Sequence, residues 1–239
     1  MTELLYQKDS YLKEFEGEII EVNREDKTVI LDKTAFYPTG GGQKSDTGVL
    51  VSGDKNFKVI NVKKKGDKVL HYIEEELPTV GMKVIGKINW DNRYKFMRTH
   101  TAMHALCGVI WNEYKGVVTG GDMEPLKGRM DFELDNYSFD KAFVEDVEKK
   151  VNEEIQRDRA VKVNILPREE AFKIPDLIRT KVNLLPEGIT EIRTVEIEGL
   201  DLQADGGTHV ASTKDIGRIK LVDYKSKGKN NKRIYLEIE

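Results

Sequence analysis

The first 87 or so residues carry short apolar runs separated by charged turns, the spacing of β-strands rather than helices. Residues 16–23 and 28–31 are β-branched runs divided by the polar turn Arg24-Glu25-Asp26-Lys27. Residues 57–62 alternate, break at Lys63-Lys64-Lys65-Gly66-Asp67, and resume over 69–73; residues 82–90 form a further strand. Short strands at regular spacing with charged turns predict a small barrel.

The period then changes. Residues 91–115 predict a helix that Asp91 or Asn92 caps and Gly116 ends, with Phe96, His100, Cys107 and Trp111 near one stripe and His104 between them. Residues 117–125 read as a glycine turn leading into a strand at 129–134. A second helix over 139–159 is amphipathic, with Phe143, Val147, Val151 and Ile155 at i+4 steps. Strands are predicted at 160–166, 191–197, 216–222 and 233–238, and a short helix at 169–173 stopped by Pro175. Helices and strands mix without strict βαβ alternation. The fold class is therefore α+β: an N-terminal small β-barrel over 1–88, then an α/β two-layer sandwich over 89–239.

Composition narrows the function classes. With 38% hydrophobic and 34% charged residues, the chain can bury a core under a well-solvated surface. A net charge of −3 excludes a globally basic nucleic-acid coat, so any nucleic-acid contact must come from local patches. Two such patches are Lys63-Lys64-Lys65 and Lys225-x-Lys227-x-Lys229 with Lys232-Arg233. The single cysteine, Cys107, excludes a disulfide framework and a Cys-rich zinc knuckle. No run of about 18 apolar residues is present, and the first residues lack a basic stretch followed by an apolar one, so a soluble cytoplasmic protein without signal peptide or membrane partner is expected.

Candidate chemistry centres on the histidines. Of four, His100 and His104 stand four apart in the predicted helix, on one face, where two imidazoles can reach one metal ion. A third closes the glycine turn Asp205-Gly206-Gly207-Thr208-His209, and the two segments are expected to meet around a zinc ion. A second unusual segment is Phe36-Tyr37-Pro38-Thr39-Gly40-Gly41-Gly42-Gln43-Lys44-Ser45-Asp46-Thr47-Gly48, whose three glycines allow close backbone approach and anion-binding N–H groups, or simply a hairpin.

This ordered set, the glycine-rich segment, His100-x-x-x-His104, Arg129-Met130-Asp131-Phe132 and Gly206-Gly207-Thr208-His209-Val210, resembles the editing domain of alanyl-tRNA synthetases and its free-standing relatives, the AlaX family. The resemblance covers nearly the whole chain and fits the medium-sized AlaX type, with a barrel before an editing domain of the threonyl/alanyl-tRNA synthetase type. It implies a zinc-dependent trans-editing hydrolase that deacylates mischarged tRNA(Ala), chiefly Ser-tRNA(Ala), with Gly-tRNA(Ala) a second candidate. It implies one zinc per chain, held by His100, His104 and His209. The family usually has a cysteine where this chain has Asp205, and a carboxylate can also ligate zinc. Gln43 and Thr39 are candidates to hydrogen-bond substrate or water, and the backbone of Gly40, Gly41 and Gly42 to receive the tRNA 3′ end. Thr119 falls where family members line the amino-acid pocket, and a hydroxyl there would pair the serine side chain. Met103 stands where editing domains often carry threonine. The alternative is a tRNA-binding module of the same fold without catalysis, motivated by Asp205. A zinc peptidase ranks last, because Thr101 follows His100 where such enzymes have glutamate.

Overall fold

The structure is a computed structural model and describes residues 2–134, 137–180, 185, 188–228 and 231–239. Lys229 of the C-terminal basic patch lies outside the described residues. Two compact units are present, Met1–Lys95 and Phe96–Glu239.

The first unit is built on a closed barrel. A short strand β1 (Glu3–Leu4) pairs in parallel with β4 (Lys33–Thr34) outside it. The barrel itself runs β2 (Glu14–Asn23), β3 (Thr28–Leu31), β5 (Gly48–Ser52), β6 (Lys55–Lys65), β7 (Lys68–Ile73) and β8 (Lys83–Ile88), closed in the order β2-β3-β7-β6-β5-β8. Alternation drives closure: Phe15, Ile19, Val29, Leu31, Phe36, Leu50, Phe57, Val59, Val62, Val69, Ile73, Val84 and Ile88 fill one interior. Two expectations shift. Lys63-Lys64-Lys65 is the exposed end of β6, paired to β7, and the turn is only Gly66-Asp67. Strand β5, unforeseen, begins at the last residue of the glycine-rich segment. Gly48 is required there: a Cβ would lie 2.1 Å from the carbonyl oxygen of Lys87 on β8.

Helix α1 (Trp90–Tyr114) is long, and its residues 99–110 are all buried, so it is a core helix rather than one with a single apolar stripe. It starts one residue earlier than expected, and Asn89, not Asp91 or Asn92, accepts a backbone N–H through its side chain, from Asn92. At its end the left-handed residue is Lys115 (φ 56°), not Gly116. Gly116 serves close approach instead, since a Cβ would meet Ile110 and Leu134 at 2.6 Å.

In the second unit, β9 (Val117–Glu124) replaces the expected glycine turn; it pairs with β10 (Lys127–Glu133). A register shift opposite Asp131/Phe132 leaves Thr119 as the extra, bulged residue. Helix α2 (Lys141–Gln156) is capped by the Asp140 side chain and buries Val144, Val147, Val151 and Ile155; Phe143, expected on that face, is only partly buried. Strand β11 (Val161–Pro167) leads through the single turn α3 (Arg168–Ala171) to β12 (Glu191–Ile197), β13 (Asp201–Ala204), β14 (Ile219–Ser226) and β15 (Lys232–Ile238). They form an antiparallel sheet in the order β14-β15-β10-β9 and a second sheet β11-β12-β13. Helix α1 touches both: Met103 packs over Gly121 and Gly128 of the larger sheet, and Gly108 lies against Leu200 and Asp201 at the start of β13. The fold is α+β, a small barrel followed by a helix-and-sheet domain, as expected.

Candidate metal centre and family

Two elements meet at the centre: the middle of α1 carries His100 and His104, and the loop after β13 carries Asp205 and His209. One ligand atom from each of these four lies within 4.8 Å of every other. The spacing predicted from the sequence is thus realised. The His100 and His209 rings stack at 4.3 Å, and the His104 ring meets both edge to face at 5.2 and 4.8 Å.

Hydrogen bonding fixes which ring atoms face inward. Thr101 donates its one hydroxyl proton to the carbonyl of Met97 at 2.9 Å, so towards the Val210 N–H and His209 Nδ1, each 3.2 Å away, it can only accept. His209 therefore carries its proton on Nδ1 and offers Nε2. His104 Nδ1 donates to the Asp201 carboxylate at 2.9 Å and likewise offers Nε2. Asp205 is anchored by its neighbours: its Oδ2 accepts from the Gly207 N–H at 2.6 Å, its own N–H reaches the Arg193 carbonyl, and Arg193 Nη1 donates to its carbonyl.

The remaining short contacts make the case for a cation. His209 Nε2 sits 3.0 Å from Asp205 Oδ2, and His100 Nε2 3.5 Å from Asp205 Oδ1. With the His209 proton on Nδ1, its Nε2 and the carboxylate oxygen are two acceptors in contact, a pair that a shared cation would reconcile. A second proton is disfavoured. Burial, helped by the charge on His100, pushes the His209 pKa well below its usual value. Burial likewise pushes His100 down to about 4, with Asp205 opposing and His104 and Arg193 assisting. Burial would raise Asp205, yet the surrounding imidazoles hold it well below the usual carboxylate range. At His104 burial is outweighed by the hydrogen bond and charge of Asp201, which stabilise the protonated ring and raise its pKa, so a metal ion there would take the place of the Nε2 proton. Three inward nitrogens and an anionic carboxylate are the deprotonated donor set a divalent metal needs. The residues fit a metal ion.

The other predicted site residues lie elsewhere in the chain. In the first unit, Gly40 and Gln43 exchange backbone hydrogen bonds of 3.1 and 2.9 Å around Gly41 and Gly42, whose φ values of 56° and 82° define a tight hairpin turn. Thr39, Gly40 and Gly41 are exposed, whereas Gln43 is buried. Much of this segment is architectural. Thr39 Oγ1 accepts from the Ser45 N–H, Tyr37 OH donates to the Gly40 carbonyl, and Asp46 accepts from the Tyr37 N–H and from the wholly buried Arg93. Thr119 is exposed on β9 at the bulge. His71, the fourth histidine, is a core residue of the barrel, bonded to Thr34 Oγ1 at 2.9 Å. Cys107 is buried, which raises its thiol pKa well above the ordinary value and leaves it inert.

Sequence reasoning did not single out Asp201, Gln203, Arg179, Arg193 or Thr101, all of which support the centre. The one available signal was Thr101, lying between the two histidines.

A barrel followed by an α+β domain with a His₃Asp cluster defines the class: an editing-type domain of the threonyl/alanyl-tRNA synthetase kind. Residues 7–92 match the family described as tRNA synthetases class II (A), and residues 192–235 match the threonyl and alanyl tRNA synthetase second additional domain. The alanyl-tRNA editing protein AlaX-M of Saccharolobus solfataricus is 42% identical over the full length of both chains, and that of Methanosarcina mazei is 41% identical over all of this chain and 97% of the relative. The alanine–tRNA ligase of Ignicoccus hospitalis is 38% identical over 92% of this chain but 24% of its own. The chain belongs to the AlaX-M family of alanyl-tRNA editing proteins. Among the described residues no helix is long and apolar enough to cross a membrane.

Proposed function

We propose that this chain is a trans-editing hydrolase that deacylates mischarged tRNA(Ala) with a bound zinc ion, chiefly Ser-tRNA(Ala), with Gly-tRNA(Ala) as a second substrate. The observation that carries the reading is the cluster of the buried His100, His104 and His209 with the half-buried Asp205, whose ligand atoms lie within 4.8 Å of one another. Those four residues would hold the ion, Asp205 taking the position of the family's usual cysteine. A bound zinc supplies Lewis-acid stabilisation of the charge that develops as an ester carbonyl is attacked.

The residues do the rest. Burial keeps the His100 and His209 imidazoles neutral and therefore available as donors. Asp205, fixed by Gly207 and Arg193, balances the cation's charge with one anion. Thr119, exposed on β9, is assigned to the amino-acid pocket, where a hydroxyl rewards serine over alanine. Thr39, Gly40, Gly41, Gly42 and Gln43 are assigned to substrate contact in the N-terminal unit. Of these, Thr39, Gly40 and Gly41 are exposed, Gly42 is half-buried and Gln43 is buried. The barrel unit and the editing unit are assigned to 1–88 and 89–239 respectively.

The test is release of serine from Ser-tRNA(Ala), with Ala-tRNA(Ala) spared, by zinc-loaded protein, and loss of that activity on chelation. No hydrolysis by protein shown to contain stoichiometric metal defeats the reading. Intact tRNA binding with a substoichiometric metal site would instead indicate a binding module without catalysis.

A further inference from the structure

We propose that Asp201 is the positioning residue of the centre: it holds His104 in the tautomer and orientation that present Nε2 inward, and it can do so because β13 is locked against α1 at Gly108. The inference rests on the metal reading of the cluster above. Asp201 is not itself a ligand; it acts through His104.

Three observations converge. First, the Asp201 side chain is wholly buried, and one oxygen, Oδ2, takes both the His104 Nδ1 proton at 2.9 Å and the Gln203 amide at 2.8 Å. The other oxygen, Oδ1, faces Arg179 Nη1 at 3.4 Å, and neither atom has a hydrogen-bond partner. Burying a charge this way is costly, and a site built only for stability is served as well by apolar packing. Second, four positions on one face of α1 all serve this carboxylate. His104 bonds it, Cys107 Sγ receives the Gln203 amide at 3.3 Å, Gly108 abuts it, and Trp111 carries the Arg179 guanidinium 4.8 Å above its ring. These are i, i+3, i+4 and i+7, a continuous helical stripe. Third, the glycine is a steric necessity. A Cβ on Gly108 would lie 2.9 Å from the Leu200 carbonyl oxygen and 3.1 Å from Asp201 Cβ. Only a bare backbone lets β13 come close enough to bring the carboxylate to the imidazole.

A carboxylate on the outer nitrogen of a metal-binding imidazole fixes ring orientation and raises its basicity, and losing it costs roughly 10- to 100-fold in metal affinity. The test is zinc affinity by competition with a chromogenic chelator, together with the visible spectrum of the cobalt(II)-loaded protein. Asp201→Asn keeps the shape and an acceptor but removes the charge. Its zinc affinity is expected to fall roughly 10- to 100-fold, with shifted cobalt bands. Gly108→Ala alters no donor, yet is expected to weaken zinc binding by displacing β13. A folded Asp201→Asn protein with wild-type affinity and spectrum overturns the inference. Should that variant fail to fold, unchanged zinc affinity in Gly108→Ala overturns it instead. A wild-type protein that binds no zinc overturns the underlying metal reading, so the two failures are distinct.

Discussion

At the scale of single residues, Asp205 and His71 make opposite use of burial. Asp205 is a half-buried anion among three imidazoles, kept ionised by them. Replacing it with alanine removes a donor and leaves the acceptor-rich cluster one charge short. Its zinc affinity is expected to fall by more than the roughly 100-fold that loss of an outer-shell partner can cost. Asp205→Cys restores the family's thiolate, a softer donor, and is expected to bind zinc at least as tightly as the wild type. Chelator competition checks both, and an Asp205→Ala protein with unchanged affinity would remove Asp205 from the ligand set. His71 carries no metal. Burial in the barrel core lowers its pKa from 6.5 to about 4. The unfolded chain therefore takes up the proton first as pH falls. The neutral ring's contribution is complete above pH 6.5 and is lost between 6.5 and about 4. From pH 7 to pH 5 that is about 2 kcal/mol. Urea unfolding should show it as the difference in pH sensitivity between wild type and His71→Gln. Equal sensitivity would mean that His71 is protonated without penalty. In the sequence, His100, His104 and His209 were legible because metal ligation demands strict residue types at strict spacing. Asp201 and Arg179 were not, because outer-shell partners need only be near in space. No spacing rule ties position 201 to position 104.

At the scale of elements, the glycine-rich segment shows how a functional motif can also be architecture. The Arg93 side chain, in the first turn of α1, is wholly buried; it forks onto Asp46 and donates to the carbonyls of Ser10 and Ala35. Asp46 in turn accepts from the Tyr37 N–H and so closes the segment's loop. Arg93→Ala leaves a buried carboxylate without its counter-charge and is expected to cost about 3–5 kcal/mol. Arg93→Lys should rescue little of it, since an ammonium cannot span two oxygens and two carbonyls. Chemical unfolding measures both, and a loss under about 1 kcal/mol for the alanine variant would show that Asp46 finds other partners. Element prediction succeeded where alternation was clean, as in β2, β3 and β7, and slipped where glycine was read as a turn. Strand β9 contains Gly120 and Gly121, and Gly121 is there to admit Met103, whose Cε would lie 3.2 Å from a Cβ. Glycine for close approach and glycine for turning look alike in one dimension. In α2 the stripe holds at Val147, Val151 and Ile155 and differs only at its first position, Val144 burying where Phe143 was expected, while Phe143 packs against the Tyr114 ring at 4.8 Å.

At the scale of the whole molecule, the four candidate metal ligands all lie in the second unit, and that unit should carry the metal's contribution to stability. Three imidazoles and Asp201 are buried there, Asp205 is half-buried beside them, and His209 Nε2 and Asp205 Oδ2 lie 3.0 Å apart. The barrel unit has its own apolar interior and shares none of these donors. An ion that binds only the folded protein stabilises by RT ln(1 + [L]/Kd), about 2.7 kcal/mol at a hundredfold excess over Kd. For a unit of this size that is roughly 5–10 °C in melting temperature. Differential scanning calorimetry with and without a chelator should therefore move the transition of Phe96–Glu239 downward by that order, leaving the barrel's transition in place. Adding zinc back should restore it, and adding magnesium, which prefers oxygen-rich octahedral sites, should not. If chelation verifiably strips the ion and no transition moves, the four side chains are held together by the fold alone. His209 Nε2 and Asp205 Oδ2 would then be joined by a proton and not by a metal ion.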